Sequence, residues 1–222
     1  TDMGGSAEFT VAGFTYAPMQ VKQGYAIGTI MAFQPRVESD GTFKANTDAA
    51  YIGGPTPTKT ASVALDMVLF KDLTISAIAE GAFGHYVLNQ GQARRFVNAL
   101  SALTSNTPGT GNGIYSDIFT MLNWPVNTTN GQYIPRNSAS AYLIERGDFI
   151  KLREVSVRYR VPREFFGGVY LTASVRNPLT IMQKARNADP ESSFIPVRGV
   201  ELGGVVGATV EAPIQWRFGI DV

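Results

Sequence analysis

The sequence predicts an all-β protein of antiparallel strands with long loops and little helix, and three observations carry that prediction. Five stretches alternate apolar and polar residues with period two, which puts opposite chemistry on the two faces of a strand. The connections between these stretches run short, long, short, long. Helical periodicity is scarce. Two architectures fit these observations equally. In a transmembrane-type β-barrel the apolar faces meet lipid and the polar faces a wet lumen, with tight turns at one rim and long loops at the other. In a soluble sandwich the apolar faces meet each other.

The first strand is read in "TASVALDMVLF", Thr60 to Phe70, with Ala61, Val63, Leu65, Met67 and Leu69 on one face and Thr60, Ser62 and Asp66 on the other. Little more than Lys71 and Asp72 separates it from the second, so the two predict a tight hairpin. The second sets Leu73, Ile75, Ala77, Ala79 and Phe83 against Thr74, Ser76 and Glu80. The long connection that follows holds the best helical pattern, Gly91 to Leu103, with Phe96, Val97, Leu100 and Leu103 on one face; a short loop helix is expected there. Thr104 to Gly113 is turn and loop by composition.

The third strand, in "DFIKLREVSVRYRVP", places Val155, Val157, Tyr159 and Val161 opposite Glu154, Ser156, Arg158 and Arg160, and its alternation shifts phase before Val155. "PREFFG" leads into the fourth, "GVYLTASVRNP", where Val169, Leu171, Ala173 and Val175 oppose Tyr170, Thr172, Ser174 and Arg176. After a second long connection, "PIQWRFGIDV" sets Ile214, Trp216, Phe218, Ile220 and Val222 against Gln215, Arg217, Gly219 and Asp221. In the barrel reading this last strand descends from an outer loop to the periplasmic side. Phe70, Phe83, Tyr159 and Trp216, near strand ends, suit interfacial girdles or an ordinary core.

Composition narrows the function. The 222 residues carry 19 Lys plus Arg and 18 Asp plus Glu, a net charge of +1, which argues against nucleic acid as the main partner. There is no cysteine, hence no disulfide framework, thiolate metal site or cysteine nucleophile. Charged residues make up 17%, below the ~25% usual for soluble domains, yet no stretch approaches the ~20 consecutive apolar residues of a membrane helix. The sequence opens at Thr1 without a targeting pattern and is expected to be a processed product or an excerpt of a longer chain.

No catalytic, cofactor-binding or metal-binding set is expected, and the sequence reads as non-enzymatic. His85 is the one histidine, and a structural role suits it best. "GTGNG", Gly109 to Gly113, lacks the Lys-Ser/Thr and the strand-to-helix context of a phosphate loop. Asp189 and Glu191, two acids in one short loop, read as a turn rather than a glycosidase pair. Asn127 opens a glycosylation sequon of low specificity, and Tyr115, Trp124 and Tyr133 offer thin support for a sugar-binding sandwich.

Taken in order, several motifs resemble the C-terminal part of the SusC/RagA-like TonB-dependent outer-membrane transporters. "VKQGYAIG" contributes Val21, Gly24, Ile27 and Gly28; "IGGPTP" contributes Gly53, Pro55 and Pro57; the exit of the hairpin contributes Gly84 and Asn89. "DFIKLREVSVRYRVP" matches through Asp148, Phe149, Lys151, Leu152, Arg153, Ser156, Tyr159 and Pro162, and a last segment through Asn177, Asp189, Pro190 and Glu191. Members of that family commonly end on an aromatic residue, whereas this sequence ends at Val222.

The resemblance implies that residues 1–222 form one C-terminal β-barrel segment without a plug domain. It implies a part in energy-coupled import of oligosaccharides or peptides across a bacterial outer membrane, with a SusD-like surface lipoprotein and the TonB complex as partners and no cofactor. Trp216, Phe218, Ile220 and Val222 are then the C-terminal barrel-strand signal. The alternative expectation is a stand-alone β-rich structural or interaction subunit, derived from a transporter tail, periplasmic and docked on a larger membrane-associated complex.

Overall fold

Strand formation dominates the chain because β-branched and aromatic residues recur at alternate positions between glycine- and proline-marked turns. A computed structural model describes residues 8–14, 17–34, 36–39, 43–44, 49–89, 91, 126, 131, 139–162, 164–165, 168–185, 189, 191, 196–197, 200–201, 205–206 and 212–221. In chain order its strands are β1 (Glu8–Phe14), β2 (Ala17–Lys22), β3 (Thr29–Phe33), β4 (Arg36–Val37), β5 (Phe43–Lys44), β6 (Ala49–Gly53), β7 (Lys59–Leu69) and β8 (Leu73–Phe83). There follow β9 (Tyr86–Asn89), β10 (Ile144–Arg146), β11 (Phe149–Arg160), β12 (Tyr170–Gln183), β13 (Pro196–Val197), β14 (Val200–Glu201), β15 (Val205–Val206) and β16 (Gln215–Asp221). One 3₁₀ turn, Ser140–Leu143, precedes β10.

The chain divides into two units. The first comprises Thr1–Thr56, His85–Arg146 and Ala185–Thr209. Its largest sheet runs β1-β2-β3-β6 and is antiparallel throughout. Met19 and Ile30 face each other across β2 and β3 and are both fully buried, so this cross-strand pair anchors the local core. The Phe33 N–H donates to Ser140 Oγ at 2.9 Å, which ties the 3₁₀ turn to β3. A smaller sheet, β10-β9-β15, contains a short parallel pairing of Val205 and Val206 with Leu88 and Asn89. Gly53 has no room for a side chain: a Cβ there would run into the Tyr86 ring, while the Tyr86 N–H donates to Gly54 O at 2.9 Å.

The second unit comprises Pro57–Gly84, Gly147–Lys184 and Val210–Val222, and it holds one antiparallel sheet in the order β16-β12-β11-β8-β7. All five strands recognised by alternation lie in it. The β7–β8 turn is Phe70, Lys71 and Asp72, with Phe70 at φ 51° and Lys71 at φ 68°. Two L-residues in the left-handed region mean that the register of two eleven-residue strands, not the turn chemistry, sets this hairpin. The β11–β12 turn begins beyond the Arg160–Tyr170 pair, where the Val161 N–H donates to Val169 O. Asp72 O accepts from the Arg160 N–H at 2.7 Å, so both turns lie on one edge of the sheet. The end of β16 joins them there, because Asp221 pairs with Tyr170. Both long connections leave from the opposite edge, as the loop rhythm predicts.

Two irregularities of this sheet have a physical cause. The alternation of the fourth stretch is followed in the sequence only as far as Asn177-Pro178. Strand β12 continues to Gln183 through a bulge in which Asn177 adopts φ 50°, a conformation asparagine tolerates, and Pro178 needs no ladder donor. The phase shift before Val155 is a second bulge, with Arg153 the extra residue between Leu152 and Glu154. The helix expected at Gly91–Leu103 lies outside the described residues apart from Gly91, as do the loop at Thr104–Gly113, Asn127, Tyr115, Trp124 and Tyr133.

Candidate functional site: a sheet with two opposed faces

Register aligns the five-stranded sheet into rows. On one face the row nearest the turns reads Ile220, Leu171, Tyr159, Leu73 and Leu69, and the next Phe218, Ala173, Val157, Ile75 and Met67. Trp216, Val175, Val155, Ala77 and Leu65 form the third. The bulges then keep the chemistry in phase, since Leu179, Leu152, Ala79 and Val63 form the fourth row on the same face. Had the strand run through Arg153 in regular alternation, with no bulge, Leu152 would turn to the other side.

This apolar face is open. Trp216, Phe218 and Ile220 on the edge strand are 66%, 79% and 71% exposed, and Val63 on the far edge 68%. Even Val157 and Leu171, on strands flanked on both sides, are 36% and 43% exposed. A sandwich would bury these interior positions against a second sheet. Covering a face of this size is worth on the order of 10 kcal/mol at ~25 cal/mol per Å², comparable to the whole stability of a typical domain. Some apolar medium therefore has to cover it. A shallow groove of about 500 Å³ lies over the small Ala173, between Val157, Tyr159, Leu171, Phe218 and Ile220.

The opposite face is polar and crosslinked by charge. Arg176 Nε donates to Glu154 Oε2 at 2.9 Å, joining β12 to β11, and Arg153 Nε donates to Glu80 Oε2 at 2.9 Å, joining β11 to β8. Ser76 Oγ donates to Asp66 Oδ1 across β8 and β7. Arg158 lies with its guanidinium carbon 4.1 Å from the Tyr170 ring centroid and reaches Asp221 Oδ2 at 3.9 Å. These side chains are well hydrated, so each pair contributes at most ~1 kcal/mol and serves mainly to order the face.

A buried clasp closes the end of the sheet away from the turns. Asp148 is 4% exposed; its Oδ1 accepts from the Gly84 N–H at 2.7 Å, and its carbonyl accepts from the Lys184 N–H at 2.9 Å. Gly84 has φ 76°, and a Cβ there would run into Thr58 Oγ1. The sequence reading named Gly84 and Asp148 in separate motifs; the fold makes them partners.

Among solved structures, that of the RagAB peptide transporter shares this fold, with a TM-score of 0.65 over 98% of the chain at 18% identity. The RagAB peptide importer in its open-open state gives 0.59 over 99% at 19% identity. The fold is shared with part of a peptide transporter. The present chain spans 25% and 24% of those two chains, about a quarter of their length. No protein-family model and no curated protein matches the sequence.

The other sequence-predicted positions divide clearly. Trp216, Phe218 and Ile220 stand together on the apolar face, and Val222 lies outside the described residues. Trp216 is the second residue of β16 and belongs to the third row of the sheet, whereas Tyr159 and Phe70 lie at the turn edge. His85 is buried. The Glu191 N–H donates to Asp189 Oδ1 at 3.1 Å, so these acids do form a local turn.

Proposed function

We propose that this chain is a C-terminal barrel segment of a SusC/RagA-like transporter in a bacterial outer membrane, a non-enzymatic part of an energy-coupled importer of peptides or oligosaccharides. The observation that carries the reading is the open apolar face backed by an ion-paired polar face. Lipid covers the first and the transport lumen wets the second. Strand length supports it: eleven residues at ~3.3 Å each, tilted by ~40°, rise roughly 28 Å, close to the hydrocarbon thickness of a bilayer. The fold shared with the RagAB structures supports it independently. In this reading Trp216, Phe218, Ile220 and Val222 are the barrel-strand signal, and residues 1–222 contribute barrel without plug. A SusD-like surface lipoprotein meets the long-loop rim, and the TonB complex supplies energy through the rest of the polypeptide.

The test is the form of the native polypeptide. It is expected in the outer-membrane fraction, several times heavier than the 24.0 kDa of these residues, and soluble only in detergent. A detergent-independent species near 24 kDa would sink the proposal and favour the stand-alone subunit, its apolar face covered by a protein partner.

A further inference from the structure

The two edge strands of the five-stranded sheet, β7 and β16, run in the same direction, because four antiparallel steps separate them. Pairing them with each other would make a parallel seam. An all-antiparallel closed sheet has an even number of strands, so an odd number of further strands must stand between β16 and β7. Among the described residues nothing pairs with the outer edge of β16, whose backbone groups cannot stay unpaired in lipid.

The side chains of β16 say what kind of strand fits there. On the polar face Glu80–Arg153 and Glu154–Arg176 tie neighbouring strands, and Arg158 reaches Asp221. Arg217 shares this face with Ser174 as its inward neighbour and has no counter-charge among the described residues. On the other face Trp216 and Phe218, on the edge strand, are more exposed than Leu171 on the interior strand. In the barrel reading β16 receives on its open edge one antiparallel strand of the same, longer polypeptide; we infer that this strand carries an Asp or Glu opposite Arg217 and apolar residues opposite Trp216 and Phe218. The inference rests on the barrel reading. The RagAB chains, matched along nearly all of this one and four times its length, have room for such a strand.

A photo-crosslinking residue placed at position 217 of the full-length polypeptide in native membranes, followed by mass spectrometry, identifies what lies opposite. The expected adduct is a peptide of the same polypeptide with alternating apolar residues and an acid at the adduct position. Arg217→Glu is then expected to reduce the heat-resistant folded form at least several-fold, and exchanging the opposing acid for Lys to restore it. An adduct on the same polypeptide without an acid there, or no rescue, overturns the charge pairing while the barrel stands. An adduct on a second copy or on another protein, or none at all, overturns the strand assignment itself.

Discussion

At the residue scale, backbone geometry rather than chemistry accounts for most of the marked positions. Gly84 combines a left-handed conformation with a steric wall at Thr58, so Gly84→Ala is expected to cost at least about 2 kcal/mol by denaturant unfolding in detergent. Asp148→Ala removes a charged acceptor from a buried N–H and is expected to cost about 1.5–3 kcal/mol, with Asp148→Asn recovering part of it. In the opposite direction, Lys71→Gly relieves a left-handed residue at the hairpin tip and should stabilise by about 0.5–1 kcal/mol. Single residues were legible in the sequence as motif members but not as partners. Gly84 and Asp148 are far apart in the chain, and only the β8–β11 register brings them together. Arg217 carried no sequence signal at all, because an arginine on a polar strand face is ordinary until its neighbours are known.

At the element scale the alternation found all five strands of the second unit, with ends within a residue or two except for β12. Its prolongation past Asn177-Pro178 was hidden because the same dipeptide marks a turn or a bulge according to whether a neighbouring strand continues. The strands of the first unit were largely missed. In β3, Thr29–Phe33, four successive residues are buried, so period two vanishes from the sequence. The phase break before Val155 was visible, and its meaning is the bulge at Arg153. Deleting Arg153 removes the extra residue and sets Leu152 next to Glu154 in simple alternation, so Leu152 and Ile150 should stay on the apolar face and the folded, heat-resistant form should persist. Arg153→Ala likewise keeps the register and loses a hydrated ion pair worth at most ~1 kcal/mol, together with the guanidinium's approach to the Phe149 ring. Gel mobility with and without heating checks both variants, and loss of the folded form on deletion alone would show that residue 153 is not extra to the ladder.

At the scale of the whole molecule the account depends on what covers the apolar face. Sequence pattern left lipid and a second sheet equally possible, because both demand the same alternation; the exposure of interior-strand residues such as Val157 shows that no second sheet among the described residues covers this face. If lipid is the cover, Val155→Arg, at mid-height on the apolar face, should cost about 2–4 kcal/mol, and Ser156→Arg, its neighbour on the polar face, close to nothing. The most direct measurement is a nitroxide scan of the full-length polypeptide in bilayers, with single cysteines at each position from Leu171 to Val175 on the interior strand β12. Within these 222 residues no native cysteine competes for the label. The account predicts that labels at 171, 173 and 175 collide with oxygen dissolved in the bilayer and are shielded from a water-soluble nickel chelate, and that labels at 172 and 174 show the reverse. Odd positions shielded from both reagents, as under a protein cover, or open to the chelate would contradict it.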